Sequence, residues 1–175
     1  VRTSNKIALC FTGTTCSGKT TYIDKLSSMF GRGAPCLNIG RVMRQRHQIS
    51  DFAASDQPQA PVEMNAEVRE ILREFLDSNN ERPLIAIESM PRNVGQVEEL
   101  NTIRNMGFSV IVVVVDGGMT ERVRRAIDRD SQDPADREAL YLTLRKIHEE
   151  HTALADVIKA LNGIGYPMIH MVTAE

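Results

Sequence analysis

At 175 residues the chain is long enough to close one sizeable core and short for two independent ones, so a single domain over 1–175 with small insertions is the default. Its formal net charge of -2 exerts no general pull toward nucleic acid or an anionic membrane, and no apolar run reaches the length of a membrane span. Three cysteines, Cys10, Cys16 and Cys36, have neither metal-site nor disulfide-framework spacing, and the first residues do not read as a secretory signal; a cytoplasmic monomer with free thiols is expected.

The first predicted strand, 7–12 (IALCFT), runs into Gly13-Thr14-Thr15-Cys16-Ser17-Gly18-Lys19-Thr20, and a helix is predicted over 18–29. A glycine-rich loop between a strand and a helix lets the backbone approach phosphate oxygens closely while its N–H groups converge on them. Gly13, Thr15, Ser17, Gly18, Lys19, Thr20 and Thr21 are therefore assigned to a nucleotide polyphosphate, with Lys19 on the outer phosphates and the Thr20 hydroxyl in a Mg²⁺ shell. A glycine turn that matches G-x-x-x-x-G-K-T by chance is the alternative, and the flanking strand and helix weigh against it. Cys16 reads as a small, oxidation-sensitive loop residue rather than a nucleophile. The loop alone leaves ATP and GTP open, although the chain has no N-K-x-D segment with which a GTP switch would read guanine.

A second strand is predicted over 35–39, followed by a polar stretch, 45–62, that reads as an insertion. Val68, Ile71, Leu72 and Phe75 place one apolar face on a helix over 63–78. The third strand, 84–88, leads into "ESMPRNVGQVEEL". There Glu88 is placed to hold Mg²⁺ or orient an acceptor, Arg92 to clamp a phosphate and Gln96 to share that face. Glu88 also reads as a helix-capping carboxylate, and Gln96 as a surface amide.

Helices over 94–105, 119–129 and 136–162 surround a fourth strand, 109–115, and precede a fifth, 167–172. Four of the five strands are nearly all apolar, as strands covered on both faces must be. The expectation is an α/β, three-layer P-loop NTPase fold with an open five-stranded parallel sheet and ligands beyond the strands' carboxyl ends. Sixteen of the 21 basic residues are arginines, and six of them lie between Arg122 and Arg145. Such a cluster suits a phosphate-rich substrate or a solvated helix face laced with ion pairs. His47, His148, His151 and His170 have no metal-ligand spacing and read as surface or packed residues.

The chain resembles the adenylate-kinase-like nucleoside monophosphate kinases. After the P-loop, "LNIGRVMR" (37–44) is similar to that family's T-G-D-x-[LM]-R segment, and "ESMPRNVGQ" (88–96) to its D-G-[FY]-P-R-x-x-x-Q segment. The resemblance implies a phosphotransferase that uses ATP and Mg²⁺ on a nucleoside monophosphate. Lys19 would stabilise the transferring group, Arg44 and Arg92 would clamp the monophosphate, and Gln96 would contact its base near Met64. Arg125 and Arg129 would line the phosphates, 40–65 would form an acceptor flap, and 130–136 a short lid. Departures are Ile39 for Thr, Arg41 for Asp and Glu88 for Asp, together with a shifted register that leaves Arg137 and Arg145 as phosphate contacts or as helix-surface ion-pair partners. A P-loop kinase of another small or nucleic-acid-end acceptor, and a nucleotide-binding regulatory homologue, stand as alternatives.

Overall fold

The computed structural model describes residues 6–29, 34–47, 65–130 and 136–173. Five parallel strands form one sheet in the order β2-β3-β1-β4-β5. β1 (Ile7–Thr12) lies at the centre, between β3 (Leu84–Glu88) and β4 (Ser109–Gly117), with β2 (Cys36–Asn38) and β5 (Met168–Thr173) at the edges. Their side chains alternate between two cores, as a period of two requires. Ala8, Cys10, Ile85, Ile87, Val110, Val112 and Val114 face the larger core; Phe11, Ala86, Val113 and Val115 face the smaller one.

Helices cover both faces, which gives the three expected layers and explains the nearly unbroken apolar strands. α1 (Lys19–Met29) packs Ile23 and Leu26 into the smaller core. α3 (Asn65–Ser78), α4 (Glu99–Asn105) and the second half of α6 (Asp136–Ile164) close the larger one through Leu72, Leu76, Ile103, Leu154, Val157 and Leu161. Each such leucine or isoleucine contributes roughly 1.5–3 kcal/mol by leaving water. α5 (Met119–Asp130) packs on α6.

Two local features differ from the sequence-based expectation. Ile39–Arg46 forms a helix, α2, because the Asn38 side chain accepts a hydrogen bond from the Arg41 amide at 2.8 Å and so caps it, while Ile39 and Met43 bury one side. The helix expected over 94–105 is broken into a 3₁₀ turn, Val94–Gln96, and α4. There Asn93 caps the turn by accepting from the Gln96 amide at 3.0 Å. Residues 48–64 and 131–135, which hold most of the expected flap and lid, lie outside the described residues.

The register decides where chemistry can collect. Phe11 pairs with Glu88 across β1 and β3, and Asn38 pairs with Glu88 across β2 and β3, so the P-loop, Glu88 and the α2 cap emerge side by side at the carboxyl edge.

Candidate active site

The loop after β1 is shaped by its backbone. Gly13 has φ +144°, and a Cβ there would stand 2.2 Å from the Val115 carbonyl oxygen, so the loop presses against β4 in a way only glycine permits. Cys16 and Gly18 also take positive φ, 61° and 94°, and turn the chain into α1. Lys19 opens that helix and curls back, its Nζ donating to the Gly13 and Thr14 carbonyls at 2.8 and 2.7 Å, with Ser17 Oγ at 3.4 Å. Burial lowers the Lys19 ammonium from 10.5 to about 8; Glu150, Glu88 and Cys16 oppose the drop and Arg92 adds to it.

Glu88, at the end of β3, is buried. Its Oε1 accepts from the Thr20 hydroxyl at 2.7 Å and its Oε2 from Asn38 Nδ2 at 2.6 Å. A carboxylate and a hydroxyl side by side at the mouth of the loop make a hard-oxygen donor set. The Thr12 hydroxyl donates to the Pro91 carbonyl at 2.6 Å and ties the following segment to β1.

Arg92 lies opposite the loop. Its backbone N–H donates to Gln96 Oε1 at 2.9 Å, and its guanidinium donates to Glu150 Oε1 at 2.6 Å. Glu150, on α6, turns its other oxygen to the loop, where Oε2 accepts from the Thr15 amide at 2.5 Å. A single carboxylate thus joins the loop after β1 to the segment after β3. Although burial works to raise it, Arg92, Lys19 and Lys146, with the Thr15 amide, hold the Glu150 carboxyl below its usual range.

The remaining sequence-assigned residues fall into four groups. Arg125 faces the loop, donating to Glu121 Oε1 at 2.7 Å and to the Cys16 carbonyl at 3.4 Å. Gln96 is 1% exposed and directs its amide inward, donating to Asn65 Oδ1 at 3.3 Å. Arg44 is half-buried on α2, Thr21 is exposed on α1, and Arg145 is exposed on α6 with Glu149 3.6 Å away. Met64 and the Arg129 side chain lie outside the described residues.

Asn38 and Glu150 had no role assigned from the sequence, and Arg122 was assigned only as one of the clustered arginines. Asn38 orients Glu88, and Glu150 bridges the loop and Arg92. Arg122, 1% exposed, donates through NH1 to the Thr14 hydroxyl and holds the loop from below, with His151 Nδ1 3.5 Å from its NH2. A signal for two of them existed. On α6 the buried positions Thr143, Ile147, Glu150, Leu154, Val157 and Leu161 recur at helical spacing, so Glu150 is a carboxylate in a core stripe. Arg122 and Ala126 are its counterpart on α5.

Residues 12–140 match the AAA domain family. The chain belongs to that family. Its P-loop, Glu88, Arg92, Arg122 and Arg125 all lie inside the matched span, whereas Glu150 and β5 lie beyond it. No match to a curated protein was found. The AAA domain is a nucleotide-binding P-loop fold, and no described helix is long and apolar enough to cross a membrane.

Proposed function

We propose that this AAA domain transfers the terminal phosphoryl group of ATP to a nucleoside or deoxynucleoside monophosphate, as adenylate-kinase-like enzymes do. One observation carries the reading. Glu150 accepts from the Thr15 amide of the loop and from Arg92 on the segment after β3, so a donor-side and an acceptor-side phosphate ligand reach the same small anion.

Phosphoryl transfer asks little covalent work of a protein; it needs two phosphates held in line, spreading charge neutralised and water kept away. On this reading the Gly13–Thr20 loop holds the donor phosphates, and Lys19 exchanges its two carbonyl partners for the oxygens of the migrating group. Arg92 and Arg44 hold the acceptor phosphate, with Arg125 and Arg145 as further cations, and the resemblance adds Arg129. Gln96 fixes the Arg92 backbone, and Met64 belongs to the base pocket.

Thr20 and Glu88 form the donor set that would hold Mg²⁺, and their hard oxygens suit it. When bound, that ion neutralises charge on the phosphate oxygens. Asn38 keeps the carboxylate in place.

A kinase of a different phosphorylated acceptor is the second reading, favoured by Arg41, which stands exposed in the first turn of α2 where the kinase pattern has an acid. Lys19→Ala and Arg92→Ala test the first. Each is expected to leave the fold intact by circular dichroism and to lower kcat/KM for a monophosphate acceptor about 10²-fold or more. Undiminished turnover in both variants would remove the assignment.

A further inference from the structure

The transfer reading uses the Glu150 bridge to relate the loop to Arg92 but gives the carboxylate itself no role. It sits in a core position of α6, 7% exposed, and its two oxygens take the Thr15 amide and the Arg92 guanidinium, with Lys19 and Lys146 adding attraction. A buried carboxylate is costly unless cations and oriented amides satisfy it, and here its two oxygens are taken by Arg92 and the Thr15 amide. The groups it satisfies are those assigned to incoming phosphate.

We propose that Glu150 is the resident counter-anion of the phosphate cradle, displaced from the Thr15 amide and Arg92 by an arriving phosphoryl group, and that it thereby sets the cradle's preference for polyanions. This rests on the reading of the loop as a phosphate site. A ligand gains entry only if it brings at least as much negative charge to those two donors as the carboxylate does. A phosphoryl group does so, with more charge and three acceptor oxygens; a neutral nucleoside does not.

The test uses inorganic triphosphate as the probe, titrated calorimetrically into the full chain without Mg²⁺. Removing the competing charge in Glu150→Gln or Glu150→Ala is expected to tighten binding about tenfold or more, a gain that a merely structural lesion would not produce. Affinity equal to or weaker than that of the parent protein, in variants with unchanged circular dichroism, overturns the proposal alone. Absence of triphosphate binding to the parent protein overturns the loop reading, and the proposal with it. Should neither variant fold, the parent protein still decides: the ¹⁵N-resolved Thr15 amide resonance must shift as triphosphate replaces the carboxylate, and a resonance that stays fixed at saturation refutes the displacement.

Discussion

Lys19 should make the stability of the ligand-free protein depend on pH in a definite direction. Burial lowers its ammonium from 10.5 to about 8, and the groups acting on it are Glu150, Arg92, Glu88 and the Cys16 side chain. Between those two values the unfolded chain holds a proton that the folded chain has released, so stability rises with pH through that window and falls as pH drops toward 8. The full displacement corresponds to roughly 3 kcal/mol, of which about 2 to 3 kcal/mol should develop between pH 7 and pH 10. Urea unfolding of the parent protein and of Lys19→Met at intervals over that range measures the effect of the ammonium together with the response of the groups coupled to it. The stability difference should move in favour of the parent protein as pH rises. Parallel pH profiles would show that the ammonium is not desolvated against the loop, and the account of Lys19 as a buried cation held on the loop carbonyls would fail.

Gly13→Ala should lower stability by at least about 2 kcal/mol in urea unfolding, because the new Cβ meets a main-chain oxygen and φ is positive, whereas Gly118→Ala, which meets nothing within 4 Å, should stay within about 0.5 kcal/mol of the parent protein. Asn38→Ala should raise the Mg²⁺ concentration for half-maximal turnover about tenfold or more, since Glu88 loses the donor that orients it; an unchanged Mg²⁺ requirement would detach Glu88 from the metal.

The strands were legible because burial on both faces leaves long apolar runs, and the P-loop because its glycines answer a local backbone demand at Gly13 and Gly18. α2 was not: it buries only Ile39 and Met43, too few for a period to show, and depends on the Asn38 cap. The break before α4 likewise turns on a side-chain cap, from Asn93. The cleft was legible in part. Its loop and Arg92 carry local signatures, but the bridge between Arg92 and Glu150 joins residues 58 apart, and only the packing of α6 brings them together. What the sequence did hold was a conflict at two positions, Glu150 and Arg122, where charged residues occupy the buried stripes of α6 and α5. Places where pattern and chemistry disagree are where function is expected.

The central claim is transfer rather than hydrolysis, and the fate of one phosphoryl group decides it. Protein with Mg²⁺ and γ-³²P-labelled ATP is incubated separately with AMP, CMP, UMP, GMP and the four deoxynucleoside monophosphates, and label is followed into nucleoside diphosphate and inorganic phosphate together. The account predicts label in the diphosphate of one or two acceptors, matched by the ADP formed and lost in Lys19→Ala. Label released only as inorganic phosphate, at a rate indifferent to every acceptor, would contradict it.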